Sequence, residues 1–264
     1  RPTCTIRIDA FDSPDNLNVD TLASSGTSSS TPGGWSFFES GTNANTLYSA
    51  GTGSSNSGDT YSFGNTPITE RAFGGLLSGS LNPSIGASFV NNTGATITRL
   101  SINYTGEQWR LGATGRNDRL DFQYSTNATS LSTGTWTDSD TLDFIAPLSS
   151  GTVGALDGNA AANRTAVSTI ITGLSIPAGS TFWIRWNDFN ATGSDDGLGV
   201  DDFSITALSD EPTPTATATA TDTPTAIPTD TPTATTTPET PTATATPEPP
   251  PATATATPDP CSVT

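Results

Sequence analysis

The chain has 264 residues, of which 26 are Asp or Glu and nine are Lys or Arg, so its formal net charge at pH 7 is −17. It has no His and no Met, and every basic residue is Arg. This composition excludes His-based triads and zinc sites, and Lys-based Schiff-base or P-loop chemistry. The acidic balance also argues against nucleic acid as a partner, and no apolar run is long enough for membrane insertion.

Short runs of alternating apolar and polar residues, separated by Gly, Asn, Ser and Asp, recur along residues 1–210. The alternation in Thr96–Tyr104 predicts Leu100, Ile102 and Tyr104 on one face of a strand. No window has a helical period, so we predict an all-β fold, a two-sheet antiparallel sandwich of the jelly-roll type. The other predicted strands are Thr5–Asp9, Trp35–Phe38, Thr60–Phe63, Ala87–Val90, Arg119–Tyr124, Thr141–Phe144, Val167–Ile171, Thr181–Trp186 and Val200–Thr206.

Clusters of turn-forming residues between these strands predict the main loops. We place loops at Asn43–Gly58, Asn91–Gly94, Asn127–Gly134 and Asn190–Gly199.

Five short motifs stand out along the chain: Glu70-Arg-Ala-Phe-Gly74, Asn91-Asn-Thr-Gly94, Tyr104-Thr-Gly-Glu-Gln-Trp-Arg110, Trp183-Ile-Arg-Trp-Asn-Asp188 and Asp201-Asp-Phe-Ser-Ile205. They resemble a bacterial secreted module that stands near the start of large extracellular proteins, including some extracellular nucleases and lamin-tail-containing proteins. The resemblance covers roughly residues 5–208 and implies an exported β-sandwich. It implies no activity, because nuclease chemistry would belong to a separate domain.

The stretch Asp188–Asp202 carries five carboxylates among glycines, which suits a hard, oxygen-binding cation such as calcium. The domain resembles jelly-roll carbohydrate-binding modules in architecture, and there a structural calcium joins the first strand to the last. The alternative is an acidic loop of turn-forming residues. The predicted ligands are Asp9, Asp12, Asp195, Asp196, Asp201 and Asp202.

A second group, Trp109, Trp183, Glu107 and Arg185, combines aromatic rings with an acid and a guanidinium, as sugar-binding surfaces do. Trp183 and Trp186 lie on opposite faces of one strand, so at least one should be in the core. The alternative is that Glu107 and Arg185, or Asp188 and Arg110, pair across strands. Glycosidase chemistry by Glu107 and Asp188 would need an acid in a cleft, which nothing in the sequence indicates.

Residues 211–264 are almost entirely Thr, Pro and Ala, and they end near Cys261. Such a segment cannot bury a core of its own and is typical of an extended, O-glycosylated stalk. Cys261 is predicted to pair with Cys4 of a neighbouring copy, although pairing within one chain or two free thiols remain open. The candidate glycosylation sites are Thr213, Thr215, Thr217, Thr219, Thr242 and Thr244.

Together these features predict a non-catalytic, extracellular structural subunit of bacterial origin. The sequence begins with Arg1 rather than Met, which favours a processed, exported form or a piece of a larger protein. We expect copies to assemble head to tail through the stalk, with glycans attached to or contacted by it. The alternatives are a stalk-displayed carbohydrate-binding or adhesion module and an accessory domain of a larger secreted enzyme.

Overall fold

The computed structural model describes residues 6–7, 19–65 and 70–208, and it is a sandwich of two β-sheets. The prediction of an all-β, two-sheet fold is confirmed. Within these residues the strands are β1 Ile6–Arg7, β2 Thr27–Ser28, β3 Trp35–Ser40, β4 Tyr48–Gly51, β5 Asp59–Phe63, β6 Ala72–Leu76, β7 Asn82–Val90, β8 Arg99–Leu111, β9 Arg119–Ser125, β10 Thr137–Asp138, β11 Phe144–Ile145, β12 Gly154–Ala155, β13 Arg164–Ile171, β14 Thr181–Asp188 and β15 Gly197–Leu208. Two short 3₁₀ helices, Val19–Thr21 and Asp140–Leu142, complete the described elements.

The larger sheet has nine described strands in the order β12-β8-β15-β6-β5-β4-β2, with β13 also on β8 and β1 also on β15. The smaller sheet has six, in the order β10-β9-β14-β7-β3, with β11 also on β9. One pair departs from the antiparallel prediction, because β4 and β5 run parallel. The loop 52–58 returns the chain to the starting end of β4 before β5 begins.

The core lies between the sheets and is built from alternating side chains. On β8, Leu100, Ile102 and Tyr104 are buried as predicted. Trp186 of β14 is fully buried at the centre, stacked on Trp35 with ring centroids 6.0 Å apart and met edge-on by Tyr104 at 5.2 Å. The prediction that Trp183 or Trp186 belongs to the core is therefore confirmed for Trp186.

Three local predictions differ from the structure. β4 lies inside the predicted loop Asn43–Gly58, and β6 was not predicted because both faces of Ala72–Leu76 are buried and no alternation results. The predicted strand Thr141–Phe144 is instead a 3₁₀ turn leading into β11. Its Leu142 carbonyl accepts a hydrogen bond from the Tyr104 hydroxyl, which holds this segment inside the sandwich.

Several predictions fall on residues outside the described part of the chain: Asp9, Asp12, Cys4, Cys261, the glycosylation candidates and the segment 211–264 as a whole. No described helix is long and apolar enough to cross a bilayer.

Candidate functional site

Three carboxylates from distant parts of the sequence meet on the outer face of the larger sheet. Asp20 lies in the first 3₁₀ helix, Glu70 directly precedes β6, and Asp201 is on β15. One oxygen from each lies within 4.8 Å of the other two. The backbone N–H of Arg71 donates to Asp20 Oδ1 at 2.8 Å, which ties the 3₁₀ helix to the start of β6.

A β-bulge in β15 orients Asp201 toward this centre. Asp201 is opposite Thr105 but Ser204 is opposite Asn103, so β15 carries one extra residue here. Asp202 takes the left-handed backbone conformation, with φ of 51°. As a result Asp201 is buried on the outer face, whereas Asp202 is exposed and accepts a hydrogen bond from the Thr105 hydroxyl at 3.1 Å.

A fourth carboxylate, Glu107 of β8, is buried next to the centre with no exposed surface. Its Oε2 accepts a hydrogen bond from Trp109 Nε1 at 2.9 Å, while its Oε1 is buried without a hydrogen-bond partner among the described residues. Glu70 Oε1 is likewise buried without a hydrogen-bond partner among the described residues, and Glu70 Oε2 accepts a hydrogen bond from the Asn159 side-chain amide. Two buried carboxylate oxygens therefore have unused acceptor capacity.

The electrostatics of the centre reflect crowding of like charges. Burial, then the contact with Glu70 and the charges of Asp202 and Glu107, raise the pKa of Asp201 to about 8. Burial and the charge of Glu70 raise the pKa of Glu107 to about 7. No described arginine forms a salt bridge with Glu70, Glu107 or Asp201.

This donor set fits calcium. All of its donors are oxygens, which is the chemistry that hard divalent cations select, and calcium takes six to eight of them. The oxygens of Glu70 and Glu107 that lack partners are what such an ion would satisfy. The residues that would hold it are Asp20, Glu70 and Asp201, with Glu107 behind them.

A second group of buried carboxylates lies around Arg116: Asp118, Asp188, Asp195 and Asp196. Arg116 forms salt bridges with Asp118 at 3.0 Å and with Asp196 at 3.2 Å. Backbone N–H groups supply further donors, since Gly112 donates to Asp196 at 2.7 Å and Asp196 to Asp118 at 2.7 Å. We call this the Arg116 cluster.

Burial also raises the pKa values of this cluster. Desolvation, followed by the charge of Asp118, raises the pKa of Asp195 and of Asp196 to about 6, although hydrogen bonds and Arg116 oppose the rise. Burial, followed by the charges of Asp118 and Asp195, raises the pKa of Asp188 well above its ordinary value, and its Oδ1 is buried without a hydrogen-bond partner in the described part of the chain. Its Oδ2 accepts from the Leu77 N–H at 2.9 Å.

The predicted calcium ligands are therefore divided. Asp201 lies at the carboxylate centre, but Asp202 is turned to solvent by the bulge. Asp195 and Asp196 belong to the Arg116 cluster, so the prediction that all of them form one site is corrected. Sequence reasoning missed Asp20 and Glu70. Glu70 stands in a motif quoted for the family resemblance, but no local spacing links it to Asp201.

The four predicted sugar-contacting residues do not form one surface. Trp109 and Glu107 are fully buried on the larger sheet, where Trp109 stacks on Phe63 with centroids 6.0 Å apart. Trp109 therefore presents no ring face to a ligand, which corrects that prediction. Trp183 and Arg185 are half-buried on the outer face of the smaller sheet. The alternative pairing of Glu107 with Arg185 does not occur either, because they lie on different sheets.

The outer face of the smaller sheet carries a row of varied side chains across four strands. Phe38 of β3 is opposite Ser84 of β7, which is opposite Asn187 of β14, which is opposite Asp121 of β9. Phe38 is 40% exposed. The row places an aromatic ring, a hydroxyl, an amide and a carboxylate in line. We call it the Phe38 row.

Arg185 organises the neighbouring row. Its guanidinium donates to Gln123 Oε1 at 2.6 and 2.9 Å and to the Leu131 carbonyl at 2.6 Å. It also lies 4.0 Å from the centre of the Trp136 ring, a cation–π contact. Because Asn187 donates to the same Gln123 oxygen at 2.9 Å, the two rows are linked in a fixed network.

No protein-family model matches the chain, and no curated protein matches it. Among solved structures, it is similar to an adhesin domain of Lys-gingipain from Porphyromonas gingivalis W83, with 14% identity over 66% of this chain and 91% of that one, and a TM-score of 0.38. It is similar to the TmCBM61 module in complex with β-1,4-galactotriose, with 10% identity, 64% and 86% coverage and a TM-score of 0.32. A tailspike domain of bacteriophage CBA120 matches at 8% identity over 66% of this chain, with a TM-score of 0.34, and the match spans 19% of that domain. At these values the similarities carry no functional inference.

Proposed function

We propose that the chain is a non-catalytic, extracellular binding module that recognises carbohydrate on the outer face of its smaller sheet. The Phe38 row is the observation that supports this most strongly. An exposed aromatic ring offers an apolar platform for a sugar ring, and the acceptor sites of Asn187 and Asp121 not used within the chain can bond sugar hydroxyls. Ser84 is buried and positions the Asn187 amide by donating a hydrogen bond to its Oδ1 at 2.5 Å. The linked network at Arg185 holds these groups in place before a ligand arrives, which lowers the ordering cost of binding.

The absence of catalysis is part of the proposal. Glu107 and Asp188, the acids considered for glycoside hydrolysis, are 0% and 5% exposed, so neither can reach a glycosidic oxygen in this conformation. Asp121 on the proposed binding face is committed to Arg119 in a 2.5 Å salt bridge. The face is thus suited to binding rather than proton transfer.

We further propose that calcium occupies the carboxylate centre as a structural cofactor. It would join the first 3₁₀ helix, the segment that precedes β6 and the start of the β15 bulge, which each contribute one carboxylate to the centre. Because the centre is on the larger sheet and the Phe38 row on the smaller one, calcium is assigned no direct contact with the sugar.

The experiment for the proposed function is binding of the intact chain to a panel of glycans and polysaccharides, with Phe38→Ala, Asn187→Ala and a control. The control is Val153→Ala, which also shortens an exposed apolar side chain (49% exposed) but lies in the loop before β12 of the larger sheet. Phe38→Ala should weaken binding about fivefold, because loss of an aromatic platform removes on the order of 1 kcal/mol. Val153→Ala should bind as the wild type does. A chain that binds no glycan, or that loses nothing with Phe38→Ala, would refute the proposal.

The head-to-tail assembly predicted from the sequence, with other copies as partners and glycans on the stalk, rests on residues 211–264. It stays a prediction, as do the pairing of Cys4 with Cys261 and the extracellular, bacterial setting.

A further inference from the structure

β13 presents an open edge along its whole length. It pairs with β8 over all eight residues in an unbroken register, from Arg164 opposite Glu107 to Ile171 opposite Leu100. Within residues 19–65 and 70–208, no strand pairs with its other edge. Backbone N–H and C=O groups on that edge can therefore template another strand.

The other edges of the sandwich are protected in ways that β13 is not. β2, β10, β11 and β12 have two residues each, and the six-residue β3 includes a glutamate. Short strands and charges on an edge are the usual defences against unwanted pairing. β13 has eight residues, no Pro, no Lys, no carboxylate and no bulge, and its Ile170 is 50% exposed.

We propose that β13 pairs edge to edge with β13 of a second copy, antiparallel and about a two-fold axis, so that two larger sheets become continuous. Opposed residues in such a pair must lie on the same face. A register with Ser168 on the axis satisfies this rule. It sets Ala166 against Ile170 on the outer face, a small residue against a large one, and Val167 against Thr169, two β-branched residues of similar size, on the core side.

The charge distribution of the chain supports a second copy as the partner of β13. The chain carries a net charge of −17, so most contacts between copies would bring carboxylates together. In the register described, the paired stretch Thr165–Ile171 has no charged residue, and Arg164 lies beyond the end of the opposing stretch. A two-fold contact is also closed, so the expected product is a dimer and not a fibre.

Sedimentation velocity of the full chain over a range of concentrations tests the proposal. The wild type should form a dimer that dissociates on dilution and is strengthened by added salt, which screens the net charge. Ile170→Lys should weaken the dimer about tenfold or more, because two-fold symmetry makes the substitution act twice. Leu47→Lys is the matched control, since Leu47 is 43% exposed and lies in the loop before β4; it should leave the dimer intact.

A second measurement does not depend on a destabilising change. With Cys4 and Cys261 replaced by Ser, Ser168→Cys should form a covalent dimer under mild oxidation, whereas Leu47→Cys should not. A chain that is monomeric at every concentration overturns the proposal. So does a dimer that survives Ile170→Lys and does not crosslink through position 168, because its copies then meet elsewhere.

Discussion

The two groups of clustered carboxylates in this sandwich differ in burial and in the partners that the chain supplies: all four of the Arg116 cluster are buried, whereas only Asp201 is buried among Asp20, Glu70 and Asp201. In the Arg116 cluster, one guanidinium bridges Asp118 and Asp196, and backbone N–H groups fill further acceptor sites. At the carboxylate centre, the Arg71 N–H donates to Asp20 and the Asn159 amide to Glu70, and no described arginine forms a salt bridge with Glu70 or Asp201. The Arg116 cluster thus has a positive charge from within the chain, whereas we propose that the carboxylate centre receives a bound cation.

The physical basis of this difference is the cost of burying charge. An isolated carboxylate loses its hydration when buried, and it either becomes protonated or acquires a partner. Burial and the crowding of like charges raise the pKa of Asp201 to about 8, so its carboxyl group retains a proton near neutral pH. A calcium ion would take the place of that proton.

The largest expected effect is at Arg116. Arg116→Ala removes the guanidinium from the Arg116 cluster and leaves buried carboxylates without their counter-charge. Loss of one partner from a buried ion pair costs about 3–5 kcal/mol of unfolding free energy. Urea unfolding of the intact chain measures this loss.

The control for that substitution is Arg119→Ala. Arg119 also pairs with two carboxylates, Asp121 and Asp143, but its side chain is 37% exposed. Exposed ion pairs contribute about 0–1 kcal/mol, so this variant should be close to the wild type. If both variants lose the same small unfolding free energy, the salt bridges of Arg116 contribute no more to stability than exposed ones do.

A smaller effect is expected in the pH dependence of stability. The pKa values of Asp195 and Asp196 are raised to about 6 in the folded chain from the ordinary aspartate value of 3.8. Between these values the folded state holds protons that the unfolded state has released, so stability falls as pH rises from about 4 to about 6. Asp195→Asn should make that decline less steep in unfolding experiments with EDTA. A decline equally steep in both proteins would contradict the raised pKa of Asp195.

The fold was largely predictable because alternation in sequence reports directly on strands with one buried face. Thr96–Tyr104 and Thr181–Trp186 show this pattern; the first is in a strand from Arg99 onward and the second throughout. β6 escaped prediction because its Ala-Phe-Gly-Gly-Leu sequence is buried on both faces and has no alternation. β4 was not predicted because it lies among the Gly, Asn and Ser residues of a predicted loop, and only its Tyr48 packs into the core.

The candidate site was less predictable because it is assembled from distant segments. The density of Asp in 188–202 predicts Asp201 as a calcium ligand, but the aspartates of that segment divide between two clusters in the folded chain. Asp20 and Glu70 reach Asp201 through strand order, which local spacing does not encode. Phe38 was assigned to a strand from its sequence, yet only the register with Ser84 and Asn187 places it in a polar row.

Titration calorimetry of calcium into the EDTA-treated, dialysed chain tests the difference between the two clusters most directly. We predict one calcium bound per chain, with protons released on binding, because the raised pKa values of Asp201 (about 8) and Glu107 (about 7) leave the first largely and the second partly protonated near neutral pH. Glu70→Gln should weaken binding on the order of 100-fold, whereas Asp195→Asn, the same carboxylate-to-amide change in the Arg116 cluster, should bind calcium as the wild type does. No calcium binding by the wild type, or equal weakening by the two substitutions, would contradict the assignment of the centre.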